Sequence, residues 1–194
     1  MKKSNFTLVE LLAVTALIVI LAGIGFAAFS YASNRGKEAA TTSLIARIGA
    51  GLESVKTKHG TFPSSNGAFS DITVTFDDAG TVRNIDFGKG VLGPAPATPV
   101  SGRTYLPDAL KTFLTVCDGE SLKKSLNSSG AVTDGWGGKI KYCYAGRINT
   151  VKFDLVAPGP DESFGSAAAS TPPTALTGYK SVGEWACDDI ANFK

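Results

Sequence analysis

The chain has 194 residues, of which 43% are hydrophobic, and its formal net charge is +2. This length accommodates one compact domain and an accessory segment, and the charge lacks the strong basic excess that is typical of nucleic-acid-binding proteins. With one histidine, His59, and three cysteines, the composition also disfavours zinc sites and Cys/His catalysis, which need several of these side chains together.

Residues 1–5 are short and basic, with Lys2 and Lys3, and a long apolar segment follows them. From 11 to 34 the chain has 24 residues without a formal charge, enough for a helix that crosses the roughly 30 Å hydrocarbon core of a membrane. Because no comparable basic cluster follows at once, we expect the N-terminus to be cytoplasmic and the rest of the chain to lie outside the inner membrane. A cleaved secretory signal, whose apolar region has about 7–15 residues, and an ordinary signal anchor are the alternatives.

Glu10 is the only charged residue between Lys3 and Arg35, and it lies at the edge of the apolar segment, in Phe-Thr-Leu-Val-Glu-Leu-Leu at 6–12. A charged side chain at membrane depth costs about 2.5–3.5 kcal/mol of insertion free energy unless it is paired. An acid in this position is therefore a functional-site hypothesis, and we expect its partner to be a cation at the same membrane depth.

Apolar residues at helical spacing continue beyond the membrane segment. They are Leu44, Ile45, Ile48, Leu52 and Val55. Gly60 and Pro63 then give a stop signal, and His59 is expected to interact with the C-terminal end of the helix dipole. The pattern predicts one helix over 6–58, with 6–32 as its transmembrane and assembly part, and a globular head over 59–194.

The first half of the head contains signals for short elements. Residues 71–76 and 82–87 flank the turn residues 77–80 and predict a β-hairpin. The Gly/Pro-rich segment 90–99 predicts a loop, and 107–116 predicts a short helix.

A second β-hairpin is predicted in the last third of the chain. Alternating apolar residues predict two half-buried strands, with Ile140, Tyr142 and Tyr144 in the first and Val151, Phe153 and Leu155 in the second. Together with the other elements they predict an α+β fold, in which a long N-terminal helix packs on a small antiparallel β-sheet head.

The three cysteines are Cys117, Cys143 and Cys187, and they are compatible with an oxidising compartment. One disulfide among three cysteines leaves one thiol over. The connectivity does not follow from sequence alone, and we favour a disulfide between Cys117 and Cys143.

The N-terminal segment closely resembles the type IV pilin and pseudopilin superfamily, whose signature is a short basic leader, then Phe-Thr-Leu-x-Glu-Leu and a hydrophobic helix. The resemblance implies a type IV pilin-like fold, a leader at 1–5, cleavage between Asn5 and Phe6 by a prepilin peptidase, and N-methylation of Phe6. It also implies assembly into a helical homopolymer at an inner-membrane assembly platform. The new Phe6 ammonium would neutralise Glu10 of a neighbouring subunit or of its own chain.

Asn5 stands where the family has glycine before the cleavage point. Glycine lets the backbone fit closely into the peptidase, whereas asparagine adds a polar side chain. Either an unusual peptidase accepts Asn5, or this chain is cut poorly.

Four head segments are similar, in the same order, to the major pseudopilin of type II secretion systems. Gly-Thr-Phe-Pro at 60–63 matches the family's Gly-x-Tyr-Pro, and Asp-Gly-Trp-Gly at 134–137 matches its Asp-Pro-Trp-Gly. Residues 154–161 match Asp-Leu-x-Ser-x-Gly-x-Asp, and residues 188–193 match Asp-Asp-Ile-x-Asn-Trp. The insertions at 66–133 and 163–187 are longer than expected for that family, so another kind of pilin remains an alternative.

The same resemblance implies a structural Ca²⁺ ion in the C-terminal loop. The family binds it through aspartates and backbone carbonyls, and Asp161 with Asp188 or Asp189 occupies the matching positions. Ca²⁺ takes six to eight oxygen ligands, which suits such a site. Ala157 and Glu162 stand where the family has serine and glycine, so a solvated acidic loop end is the alternative. No organic cofactor is expected.

We therefore expect a structural filament subunit rather than an enzyme, located in the bacterial inner membrane and then in a periplasmic pseudopilus or a cell-surface filament. A DNA-binding competence pilin and an adhesive minor pilin are the alternatives. DNA contacts would come from the scattered residues Lys123, Lys124, Lys139 and Lys141, so nucleic acid is not an expected partner. A signal-anchored periplasmic enzyme is disfavoured, because no Gly-x-Ser-x-Gly, metal-ligand cluster or phosphate loop is present.

Overall fold

A computed structural model gives the structure of the chain, and it describes residues 8–65, 67–146, 149–161, 164 and 190–192. The first helix, α1, covers Leu8–His59 and has 52 residues. The chain divides into two compact units, one up to Gly36 and one from Lys37 onward. The second half of α1 therefore belongs to the unit that contains the head.

The structure contains the long N-terminal helix that the sequence predicts, and it ends where the stop signal lies. Gly60 has a φ of 78°, a left-handed conformation that favours glycine after a helix. Its N–H donates to the carbonyl of Lys56 at 2.9 Å, and the Lys56 ammonium donates to the Gly60 carbonyl at 2.7 Å. His59, in the last turn, lies with Nε2 3.1 Å from Thr112 Oγ1.

In its described residues, the head contains short strands and two helices. In chain order they are β1 Ser70–Asp71, β2 Thr73–Phe76, β3 Val82–Asp86, β4 Gly90–Leu92, β5 Thr104–Leu106, α2 Pro107–Val116, α3 Gly119–Lys123, β6 Lys141–Tyr144, β7 Phe153–Ala157, a 3-10 turn at Gly159–Asp161, and β8 Ile190–Ala191. Within the described residues the strands form two four-stranded sheets, β1-β6-β7-β8 and β2-β3-β4-β5. The first sheet is antiparallel, but the second is mixed, because β4 and β5 are parallel.

The predicted hairpin between 71–76 and 82–87 is present as β2 and β3, with Val74 opposite Ile85. Its turn is held by Asp77 Oδ1, which accepts the Thr81 N–H at 2.7 Å. Asp71 was predicted in the first strand of this hairpin, but it lies in β1 of the other sheet, opposite Lys141. There Asp71 forms ion pairs with Lys139 and Lys141, beside β6.

The predicted loop at 90–99 is wrong in its first three residues, which form β4. Gly90 is not a turn residue there. A side chain at this position would lie 2.3 Å from the Ser64 backbone nitrogen, so the glycine permits the close approach of two backbones. The prediction of a helix at 107–116 agrees with α2, which has Pro107 in its first turn.

The second predicted hairpin is present as β6 and β7, with Tyr142 opposite Leu155. The predicted alternation fails in β7, where every residue is buried, Asp154 included. The Asp154 carboxylate accepts the Asn149 N–H at 3.0 Å, so the turn before the strand donates a hydrogen bond to this buried acid. Val151, predicted in the strand, precedes it and is 87% exposed.

The core forms between the second half of α1 and the head. The five apolar residues predicted at helical spacing, Leu44, Ile45, Ile48, Leu52 and Val55, are at most 3% exposed. Tyr142 joins this core and donates its hydroxyl to the Pro63 carbonyl at 2.7 Å. Phe62, from the 60–63 segment, packs its ring 5.1 Å from that of Phe153.

The predicted disulfide between Cys117 and Cys143 is not formed. Cys117 ends α2 and packs against α1, where a side chain at position 51 would lie 3.4 Å from its Cβ. Cys143 lies in β6 with its Sγ 3.5 Å from the Ala145 carbonyl oxygen. Burial raises the pKa of the Cys117 thiol to about 11, so it is protonated at neutral pH. Cys187 lies outside the described residues.

The close approach of α1 to α2 yields a stability prediction. A Cβ at position 51 would lie 2.8 Å from the buried Phe113 ring, whereas a Cβ at position 49 would be 3.7 Å from the Phe153 ring. Gly51→Ala should therefore lower the free energy of unfolding, since overpacking costs about 1–3 kcal/mol. Gly49→Ala should raise it by up to about 1 kcal/mol through helix propensity.

The measurement is urea unfolding of the full-length variants in detergent, followed by tryptophan fluorescence. Gly49→Ala is the matched control, because it makes the same substitution in the same helix. Shifts of both variants in one direction would contradict the predicted contact.

Candidate functional site

The most unusual surface of this protein is the first part of α1. Every side chain described between residues 8 and 40 is exposed. Its large apolar residues are exposed by half or more; the exposed fraction is 76% for Leu8, 50% for Val14 and 72% for Phe29. A water-soluble monomer rarely exposes so large an apolar surface, so this one is suited to contact lipid or other proteins.

Residues 11–29 of this segment are apolar on all sides of the helix, not on one face. Between 11 and 29 the only polar side chain is Thr15, and its hydroxyl donates to the Leu12 carbonyl at 3.0 Å. Its hydrogen bond is thus made within the helix, as apolar surroundings demand. The mean hydropathy reaches 2.6 over an 18-residue window, so α1 is long and apolar enough to span a membrane.

Glu10 lies in the first turn of α1 and is exposed. A carboxylate there interacts favourably with the positive end of the helix dipole. It is the acidic residue at the N-terminal edge of the apolar surface. Asn5 and Phe6, the predicted processing residues, lie outside the described residues.

The exposed part of α1 ends where a tight turn of the head, residues 134–138, meets the helix. The Gly135 N–H donates to Thr41 Oγ1 at 3.0 Å, and the Lys37 ammonium lies 6.0 Å from the Trp136 ring centroid. Thr41 is only 1% exposed. The motif at 134–137 thus fixes the point at which α1 enters the head.

Asp134 holds this turn together. One of its carboxylate oxygens accepts the N–H groups of Trp136 and Gly138 at 2.9 and 2.8 Å, and the other accepts the Gly159 N–H at 3.0 Å. The side chain is buried, so these three bonds replace its lost hydration. Asp134 therefore links the turn to the segment that follows β7.

Sequence analysis missed the role of Thr41. It precedes Leu44 by three positions and Ile45 by four, so it lies on the apolar stripe of the helix. A small polar residue on that stripe was the available signal for a hydrogen bond to the head.

Asn192, in the C-terminal motif, is also structural. Its side-chain oxygen accepts the Leu155 N–H at 2.8 Å, and its amide donates to the Phe153 carbonyl at 3.1 Å. These bonds extend the pairing of β8 with β7. The same motif contains Asp188 and Asp189, which lie outside the described residues.

Of the predicted calcium ligands, the structure describes only the backbone of Asp161. The backbone of Asp161 ends the 3-10 turn that follows β7, and its side chain is not described. In the described part of the chain, no group of three His, Cys, Asp or Glu side chains could hold a metal ion. The calcium site therefore stays a prediction.

The lysines considered for DNA contact are largely paired with acids. Lys139 and Lys141 both bind Asp71, and Lys123 binds Glu120 at 2.8 Å. Burial by itself raises the pKa of Asp71, but hydrogen bonds from the two lysines outweigh burial and lower the pKa below its ordinary value. Three of the four lysines thus present less net charge to solvent than the sequence indicates.

Comparison with protein-family models, with curated proteins and with solved structures finds no match to this chain. Its function must therefore be inferred from its own residues and their geometry.

The turn at 134–138 yields a second prediction. Asp134→Ala leaves three backbone N–H groups without their acceptor, so the free energy of unfolding should fall by about 3 kcal/mol. Asp134→Asn should cost less, because its oxygen can still accept from Trp136 and Gly138 while its amide faces the Gly159 N–H.

Chemical denaturation of the full chain in detergent measures both effects. Asp78→Ala is the control, since Asp78 is exposed in the β2–β3 turn and its loss should change stability by less than about 0.5 kcal/mol. An Asp134→Ala variant as stable as Asp78→Ala would contradict the structural role of this carboxylate.

Proposed function

We propose that the chain is a structural subunit of a type IV pilus-like filament or of a type II secretion pseudopilus. It polymerises through its N-terminal helix after processing by a prepilin peptidase. The observation that supports this most directly is the exposure of every described side chain from 8 to 40, in a helix whose second half has a stripe buried in the core. A subunit of this kind is a non-enzymatic building block.

The all-round apolar character of the first half favours a filament over a dimer. A helix that meets one partner needs one apolar stripe, whereas a helix surrounded on all sides is apolar on all sides. Lipid supplies such surroundings before assembly, and the helices of neighbouring subunits supply them afterwards. The same surface therefore serves in two environments without refolding.

Glu10 gives this otherwise uniform surface a defined register. Apolar helices can slide along one another with little change in free energy. A carboxylate removed from water, however, requires a cation at one fixed position along the helix axis. The new N-terminal ammonium of Phe6 is the proposed cation. One charge pair per subunit would then set the axial position of each neighbour.

The head supports the comparison with a pseudopilin through the structural roles of its motifs. The 60–63 segment packs Phe62 into the core, Asp134 closes the turn against α1, and Asn192 joins β8 to β7. Each motif contributes a contact that positions the head on the helix or completes the first sheet. These are the contacts that a rigid filament subunit needs.

The assembly role of Glu10 is testable by substitution. Glu10→Val should leave membrane insertion intact or improve it, because an apolar side chain replaces a charge. A loss of 1.4 kcal/mol per contact lowers the equilibrium constant for adding a subunit about tenfold, so filament yield should fall steeply. Membrane fractionation measures insertion, and pelleting with electron microscopy measures filaments.

Glu38→Val is the matched control, since it replaces an exposed acid of the same helix outside the apolar segment. It should assemble normally. If Glu10→Val gave the same filament yield as the control, the proposed assembly role would be contradicted.

Processing provides an independent test. Mass spectrometry of the assembled protein should find an N-terminus at Phe6 that carries a methyl group. Asn5→Gly should be cleaved at least as completely, because glycine fits most closely into a peptidase site. Filaments built from chains that retain Met1 or Lys2 would contradict the proposed processing.

A further inference from the structure

The charge-free part of α1 ends in a paired tyrosine and arginine. Arg35 Nε donates to the Tyr31 hydroxyl at 3.2 Å, and its guanidinium carbon lies 5.5 Å from the centroid of the Tyr31 ring. Both side chains are exposed, Tyr31 by 65%. Helical side chains point toward the N-terminus, so the guanidinium lies about one turn closer to the apolar segment than its own Cα.

The spacing of this pair from Glu10 matches the thickness of a membrane. Tyr31 follows Glu10 by 21 residues (31 − 10), or about 32 Å of helix at roughly 1.5 Å per residue. The hydrocarbon core of a bilayer is about 30 Å thick. If Glu10 lies at one boundary of the core, the Tyr31 ring and the Arg35 guanidinium lie at the other.

We propose that Tyr31 and Arg35 form an anchor for the phosphate group of a phospholipid in the periplasmic leaflet of the inner membrane. The proposal rests on the membrane location in the proposed function. A tyrosine ring prefers the membrane interface, and a guanidinium binds phosphate through two parallel N–H···O bonds. The contact of Arg35 with the ring holds the cation at this depth.

The next cation along the helix has another role. Lys37 lies over the Trp136 ring, within the unit that contains the head. Arg35 is therefore the cation that follows the apolar segment, and Lys37 belongs to the attachment of the head. The anchor fixes the depth of the subunit before assembly, so that Glu10 lies at the cytoplasmic boundary of the membrane.

Solid-state NMR can measure this contact in the full chain. The five arginines are labelled with ¹³C at Cζ, and the protein is placed in vesicles of phosphatidylethanolamine and phosphatidylglycerol in a buffer without phosphate. Dephasing of the ¹³C signal by ³¹P reports a guanidinium in contact with a lipid phosphate. We expect about one fifth of the signal to dephase, because Arg35 is one of five arginines.

Three variants make the result specific. Arg35→Gln should abolish this dephasing, whereas Arg83→Gln, which removes an exposed arginine of β3, should retain it. Tyr31→Leu should reduce it by about twofold or more, because the guanidinium loses the ring that positions it. Equal dephasing in the wild-type chain and Arg35→Gln, or none in either, would overturn the anchor.

Co-flotation with the same vesicles separates this proposal from the proposed function. A chain that floats with the vesicles but shows no dephasing contradicts the anchor alone. A chain that does not float contradicts both. The filament yield of Glu10→Val bears on the assembly role and not on the anchor.

Discussion

The structure depends on one constraint: a single helix, α1, has to meet two kinds of surroundings along its length. Its first part is exposed and apolar on every side, and it carries no charge from residue 11 to residue 34. Its second part has one buried stripe, centred on Ile48 and Leu52, against which the sheets of the head pack. A break between the two parts would separate the surface proposed for assembly from the domain that it carries.

The change from one environment to the other is made by few contacts. Thr41 is the first buried side chain of the described helix, and the 134–138 turn meets α1 there. Asp134 satisfies the backbone of that turn and reaches Gly159 beyond β7. Each such hydrogen bond contributes about 1 kcal/mol net, which is a considerable part of the stability of a small domain. The head is therefore attached to α1 at a defined position along the helix.

Charged side chains have different roles in the head and in the exposed part of α1. In the head, acids such as Asp71 pair with lysines of the same chain and stabilise strand placement. In the exposed part, Glu10 and Arg35 bound a segment that has no other charge. Tyr31, which Arg35 contacts, follows Glu10 by about the thickness of the hydrocarbon core, so Glu10 and this pair are suited to fix depth in the membrane, and in the proposed filament Glu10 would fix the register between subunits.

The long helix, its buried stripe, its end at Gly60, helix α2 and the two hairpins could be predicted from the sequence, because they depend on local periodicity and turn chemistry. It also identified Glu10, since an acid in an apolar run stands out without a structure. Only the tertiary structure shows that Gly90 permits the close approach of two backbones, its own and that of Ser64, and does not lie in a loop. It alone placed Cys117 against α1 and away from a bond with Cys143. The physical reason is the same in both cases: these outcomes depend on which distant segment lies beside the residue, and local pattern carries no information about that.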